Sequence, residues 1–178
     1  MTVFRLLLPL LALALSTCAT HLHERGPVTL MLAAINDFHG NLELPAGGLP
    51  EINAATQALT RTPAGGVARL ATLIERLRAQ HTHFAFVSSG DLVGASPLAS
   101  GYFDDEPAIE AMNSLKLDLN GVGNHEFDRG RAELQRLQAG GCPRGGCKSG
   151  QPFGGAKFGF LAANVMTRDT GKTLFPPY

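Results

Sequence analysis

Three short apolar runs in this chain each end in side chains that bind metal ions or carry protons. In chain order, the runs and the polar residues after them are Val28 to Ile35 with Asp37 and His39, Phe84 to Ser88 with Asp91, and Leu117 to Val122 with Asn124, His125 and Asp128. The carboxyl ends of parallel strands meet at one edge of an α/β sheet, where ligands bind. The spacing therefore predicts a two-metal hydrolytic site at that edge.

The segments between these runs have helical periodicity. Apolar residues at helical spacing predict helices over residues 66–80 and 131–138, and Pro107 suits the first turn of another. Residues 158–163 read as a further strand. Alternating strands and helices predict an α/β fold with a mainly parallel sheet and right-handed crossovers. The acidic run Asp104-Asp105-Glu106 precedes Pro107, and we interpret it as residues favoured by a helix dipole, not as metal ligands.

Length and charge restrict the class of protein. The 178 residues suit one domain with a real core, and 15 Lys and Arg balance 15 Asp and Glu. Zero net charge gives no electrostatic footprint for a nucleic-acid polymer, and the chain has no Trp on which single-stranded bases would stack. We therefore expect no nucleic-acid polymer as a partner.

The first residues predict an exported protein. Arg5 precedes an apolar run from Leu6 to Leu15, which is too short to span a bilayer and suits a signal peptide over residues 1–17. Leu15-Ser16-Thr17-Cys18 resembles a lipobox, so lipidation of Cys18 would anchor the chain to a membrane; cleavage of an ordinary signal peptide nearby is the alternative. Residues 18–27 read as a tether, and the expected location is the periplasm or cell envelope.

The two other cysteines lie in a glycine-rich segment. Cys142 and Cys147 form an even pair in an exported context, which favours a disulfide bond closing a small loop. The alternative is half of a zinc site, for which no second cysteine pair exists.

The motifs together resemble those of the calcineurin-like metallophosphoesterases. The matching segments are residues 36–40 (Asn-Asp-Phe-His-Gly), 65–69 (Gly-Gly-Val-Ala-Arg), 89–91 (Ser-Gly-Asp), 123–128 (Gly-Asn-His-Glu-Phe-Asp) and 162–165 (Ala-Ala-Asn-Val). Within that superfamily they are similar to the bacterial periplasmic branch of 5′-nucleotidases and 2′,3′-cyclic-nucleotide phosphodiesterases. The resemblance implies that residues 28–178 form the N-terminal part of an α/β/β/α sandwich.

The resemblance also implies a set of metal ligands. Asp37 and His39 would hold a first ion, Asp91 would bridge, and Asn124 would bind a second. Mixed carboxylate, imidazole and amide ligands suit two divalent ions of Mn, Zn, Co or Fe better than Ca.

Two further residues would carry the catalytic chemistry by the same resemblance. His125 would contact the substrate or act as a general acid, oriented by Asp128. An alternative for Asp128 is a cap on the helix that follows. We interpret Glu126 and Phe127 as packing or surface residues.

The resemblance extends over only part of the family's length. Family members complete their metal shells with later histidines, and no histidine follows His125 in this sequence. We therefore expect about half a site, with the C-terminal region of the same enzyme as the missing partner and a nucleotide phosphate ester as substrate. The alternatives are an inactive or partner-dependent remnant and a metal-binding interaction module. An interaction module would not explain why His125 directly follows Asn124.

Overall fold

A computed structural model describes residues 26–178. The predicted signal peptide, Cys18 and most of the tether lie outside the described residues. Within residues 26–178, no helix is both long and apolar enough to cross a membrane.

Strands of the described chain are β1 Met31–Ile35, β2 Leu49–Ile52, β3 Leu59–Thr62, β4 Phe84–Ser88, β5 Leu119–Gly121 and β6 Gly159–Leu161. The main sheet has four parallel strands, in the order β1-β4-β5-β6. Strands β2 and β3 pair as a separate antiparallel hairpin, which was not predicted from the sequence. Every residue of that hairpin is exposed, so it lacks the apolar alternation from which a strand is recognised.

The helices follow the predicted periodicity. They are α1 Val67–Gln80, α2 Leu98–Gly101, α3 Glu106–Ser114 and α4 Arg131–Ala139. Three of them lie within one residue of the predicted positions, whereas α2 is a single turn too short for a periodic signal. The α/β prediction is confirmed.

The helices pack on one face of the main sheet. Right-handed crossovers along a strand order with no reversal place the connecting segments on the same side. In agreement, Phe86 and Phe160 are buried in one core with Ile74 of α1, Ile109 of α3 and Leu134 of α4. This core determines where the strands end and so positions the site.

The opposite face of the main sheet is open in the described residues. Side chains alternate along a strand, and Leu32 and Leu119 face away from the core with 57% and 39% of their surface exposed. Parallel sheets are ordinarily covered on both faces. In residues 26–178, the sheet face that carries Leu32 and Leu119 therefore has no second layer packed on it.

The structure contains a disulfide bond between Cys142 and Cys147, whose Cα atoms are 4.8 Å apart. The paired thiols are unavailable as thiolate ligands, so the half-zinc-site alternative is not supported. The bond closes a short loop within the segment that connects α4 to β6.

Candidate metal centre

Backbone hydrogen bonds join the loops after β1 and β4. Asp37 donates its N–H to the carbonyl of Gly90 over 3.1 Å, and His39 donates to that of Asp91 over 2.9 Å. Asp37, His39 and Asp91 have φ angles of 50°, 46° and 54°, in the left-handed region that costs a non-glycine residue about 1–2 kcal/mol. Such strain concentrates at functional sites.

Three side chains from three loops converge beyond the carboxyl ends of the strands. One ring nitrogen each of His39 and His125 and a carboxylate oxygen of Asp91 all lie within 4.8 Å of one another. The two imidazole rings meet edge to face, with centroids 4.8 Å apart. All three residues are partly exposed, so an ion could reach them from solvent. Two nitrogens and a carboxylate oxygen suit a divalent transition metal.

The hydrogen bond of His39 selects its tautomer. Its Nδ1 lies 2.8 Å from the carbonyl oxygen of Gly94, and a carbonyl only accepts, so Nδ1 carries the proton. The lone pair of Nε2 is then free to bind a metal. A backbone carbonyl on the second ring nitrogen is common behind metal-bound histidines.

The other two predicted metal ligands flank this cluster. Asp37 is exposed, its Oδ1 lies 3.7 Å from Nε2 of His39, and its Oδ2 accepts a hydrogen bond of 2.6 Å from Asn36. Asn124 is exposed and directly precedes His125. His39 and Asp91 thus lie in the cluster with His125, and Asp37 lies against it.

Both the ring and the backbone of His125 make hydrogen bonds to carboxylates. Its Nδ1 lies 2.8 Å from Oδ2 of Asp128, and its backbone N–H donates to Oδ1 of Asp91 over 2.9 Å. The hydrogen bond to Asp128 is the main cause that raises the pKa of His125 above its ordinary value, helped by the negative charges of Asp91 and Glu126. Asp128 can therefore hold His125 as an imidazolium next to His39 and Asp91. Asp128 ends a 3₁₀ turn at His125–Phe127 and is not the residue that caps α4, a position occupied by Gly130.

Glu126 is a packing residue and not a surface one, the two positions left open by the sequence, and it also joins two loops. It is 3% exposed, and its carboxylate accepts backbone hydrogen bonds of 2.9–3.0 Å from Asp91, Leu92 and Gly123. Burial raises the pKa of Glu126 although these donors oppose the shift. This one carboxylate fixes the loop after β4 to the loop after β5. The available signal was an acidic residue directly after Asn124 and His125, in the loop that follows a strand.

The loops after β4 and β5 approach so closely that a side chain would not fit between them. A Cβ atom at Gly123 would lie 2.2 Å from Oδ1 of Asp91, and one at Gly94 would lie 2.7 Å from Oδ2 of Asp128. Glycine at these two positions lets the backbone pass directly behind the carboxylates.

No protein-family model matches the sequence, but individual proteins do. An uncharacterised protein from the pqq-V 5′ region of Acinetobacter calcoaceticus is 50% identical over 162 residues, which cover 87% of this chain and 79% of that protein. Endonuclease YhcR of Bacillus subtilis is 31% identical over 85% of this chain and 12% of its own length. The 2′,3′-cyclic-nucleotide 2′-phosphodiesterase/3′-nucleotidase of Yersinia enterocolitica is 38% identical over 64% of this chain and 16% of its own length.

Solved structures have the same fold. The 5′-nucleotidase precursor of Thermus thermophilus is 30% identical over 84% of this chain and 25% of that chain, with a TM-score of 0.57. Calcineurin-like phosphoesterase YfkN of Bacillus subtilis is 28% identical over 83% of this chain and 40% of that chain, with a TM-score of 0.55.

The fold and the cluster define an α/β domain with a candidate metal centre at the carboxyl ends of its parallel strands. The chain belongs to the calcineurin-like phosphoesterases, in the branch of the 5′-nucleotidases and 2′,3′-cyclic-nucleotide phosphodiesterases. It spans only a minor part of the Bacillus and Yersinia relatives and of the two solved chains.

Proposed function

We propose that this chain supplies the N-terminal part of an exported phosphoesterase that hydrolyses nucleotide phosphate esters, of the 5′-nucleotidase type, at a dinuclear metal site. The observation that carries the proposal is the convergence of His39, Asp91 and His125 at the carboxyl ends of the strands, with Asp128 behind His125. His39 and Asp91 provide metal donors, which fits the metal dependence of the family, and His125 beside them provides the proton chemistry.

The ligands divide between two ions in this proposal. Asp37 and His39 hold the first, Asp91 bridges, and Asn124 contributes to the second. Two divalent ions, of Mn, Zn, Co or Fe, would neutralise phosphoryl charge and provide a nucleophilic oxygen from water. The free Nε2 of His39 and the position of Asp37 against it are consistent with a shared ion.

His125 is the proposed catalytic residue. Its Nδ1–H is held by Asp128, so its other ring nitrogen faces away from that carboxylate. A protonated imidazole there would stabilise charge on the phosphoryl oxygens or give a proton to the leaving oxygen. Asp128 orients the ring and favours the cation.

The exposed apolar face of the main sheet supports the proposal that another region of the same enzyme packs there. Leu32 and Leu119 on the open sheet face would be buried by a second sheet packed about 10 Å away. We propose that a C-terminal region supplies this sheet and the remaining metal ligands. The alternative is an inactive remnant, in which the same residues persist without turnover.

Export is part of the proposal. A signal peptide over residues 1–17, with or without lipidation of Cys18, would deliver the chain to the periplasm or cell envelope. The disulfide bond between Cys142 and Cys147 supports this location, since such bonds persist in oxidising compartments.

Metal binding tests the site without requiring turnover. Residues 18–178 should bind Mn or Co in a calorimetric titration, and Asp91→Asn should abolish most of that binding because Asp91 contributes to both ions. Asp118→Asn is the matched control, since Asp118 precedes β5 at the opposite end and binds only the backbone of Phe86. Equal metal binding by Asp91→Asn and the unchanged chain would refute the site.

Turnover separates the two alternatives. Residues 18–178 alone should hydrolyse 5′-AMP or bis-p-nitrophenyl phosphate no faster than the background rate. The same residues joined to the remaining phosphoesterase domain of the Yersinia relative should be active with Mn or Co. An inactive fusion that still binds metal would favour the remnant.

A further inference from the structure

The acidic run Asp104-Asp105-Glu106 is buried, contrary to the expectation of residues that only favour the start of a helix. The three residues are 8%, 3% and 6% exposed. Asp105 is the N-cap residue of α3, yet its side chain makes no capping hydrogen bond. Buried carboxylates are costly unless they are hydrogen-bonded. These side chains therefore have partners elsewhere.

We propose that Asp105 and Asp104 are positioning residues that act separately on the two histidines of the cluster: Asp105 on His39, and Asp104 on His125. The inference rests on the proposed metal centre, because it concerns how its imidazoles are presented. Glu106 differs from both, since it pairs over 2.7 Å with Arg136 of α4, away from either histidine.

The first arm runs from Asp105 through Gly94 to His39. Oδ2 of Asp105 accepts the backbone N–H of Gly94 over 3.4 Å, and its Oδ1 accepts the hydroxyl of Ser100 over 3.0 Å. The carbonyl of the same Gly94 accepts Nδ1–H of His39 over 2.8 Å. Asp105 thus binds the backbone N–H of Gly94, and the carbonyl of Gly94 sets the tautomer of His39.

The second arm runs from Asp104 through Arg129 to the pair of Asp128 and His125. Arg129 donates to Oδ1 of Asp104 and, over 2.9 Å, to the carbonyl of Gly101. Because Arg129 directly follows Asp128, this ion pair fixes the end of the 3₁₀ turn. Lys148, the residue after Cys147, also donates to Oδ1 of Asp104, over 3.0 Å.

The two arms border one cavity of about 540 Å³. Gly94 and Asp105 line one part of it, and Asp128 and Arg129 line another. Within residues 26–178 the arms share no hydrogen bond, because Asp105 binds Gly94 and Ser100, whereas Asp104 binds Arg129 and Lys148. They touch where the backbone of Gly94 packs against Asp128. Each histidine should therefore respond mainly to the carboxylate at the start of its own arm.

The test compares Asp105→Asn and Asp104→Asn with Asp118→Asn in residues 18–178. The ¹⁵N chemical shifts of the imidazoles in metal-free protein report the tautomer of each ring. Asp105→Asn should convert His39 from Nδ1–H to a mixture of tautomers and leave His125 unchanged. Asp104→Asn should shift the nitrogen signals of His125 and leave His39 unchanged. Asp118→Asn should move neither.

Cobalt affinity provides a second measurement. Asp105→Asn should weaken Co(II) binding by up to about 10-fold, the lower end of the loss expected for a partner behind a metal-bound histidine, because Asp105 acts on His39 only through Gly94. If the carboxylates were merely structural, each substitution would lower the unfolding midpoint, and the imidazole ¹⁵N signals of both histidines would shift together or not at all. Either result would overturn the inference. If the unsubstituted chain binds no Co(II), the proposed function fails, while the tautomer measurement still decides the positioning roles.

Discussion

Nδ1 of His125 lies 2.8 Å from Oδ2 of Asp128, three residues later, while the backbone N–H of His125 binds Oδ1 of Asp91. One residue is thus tied to the carboxylate that orients its ring and to the proposed bridging ligand. This relationship connects the proton chemistry of the site to its metal chemistry.

Asp128→Asn should lower the pKa of His125, because the hydrogen bond to Asp128 is the main cause that raises it. A histidine whose pKa is raised on folding contributes stability below its unfolded pKa and loses it as the pH rises through the folded pKa. The variant should therefore have a weaker decline of stability across that window. Proton NMR titration of the metal-free chain measures the pKa directly; an unchanged value would contradict the role of Asp128.

Glu126→Gln should destabilise the chain by about 2–3 kcal/mol, because an amide cannot accept all the backbone donors that the buried carboxylate accepts. Urea unfolding measures the change. Glu110→Gln is the control, since Glu110 is exposed on α3 and its substitution should stay within about 0.5 kcal/mol. Equal effects of the two substitutions would mean that Glu126 does not hold the loops together.

Replacing both Cys142 and Cys147 by Ser should cost about 2 kcal/mol, because the bond closes only a short loop and removes little entropy from the unfolded chain. Thermal unfolding under non-reducing conditions measures the loss. Mass analysis of the unchanged chain should find two hydrogens fewer than in the reduced form. Alkylation of both thiols without prior reduction would exclude the bond.

Leu32→Lys combined with Leu119→Lys should reduce self-association, because both side chains lie on the open apolar sheet face. Sedimentation velocity of residues 18–178 measures the change. Leu73→Lys, on the half-exposed side of α1, is the matched control and should have a smaller effect. Undiminished self-association of the double variant would mean that the chains associate through a surface other than the open sheet face.

Export should remove residues 1–17, and lipidation would anchor the product through Cys18. Cys18→Ser should then release the protein from membranes or block its maturation, as measured by fractionation of the expressing cells. Unchanged membrane association would contradict lipidation of Cys18.

The order of elements could be read from the sequence because it depends on local periodicity. Residues 67–80 and 131–139 keep an apolar stripe at helical spacing, and Phe84–Ser88 is a compact apolar run. The β2–β3 hairpin could not be predicted, since its exposed residues have no pattern that burial would impose.

The sequence by itself determined the α/β order and the residue types that end each strand, since both are local properties. Tertiary structure alone decided that His125 joins His39 and Asp91 in one cluster, because their ring and carboxylate atoms meet only when three loops fold together. It also decided the role of Glu126, whose donors lie up to 35 residues away along the chain. A buried carboxylate is identified by its partners, and those are brought to it by the packing of the whole sheet.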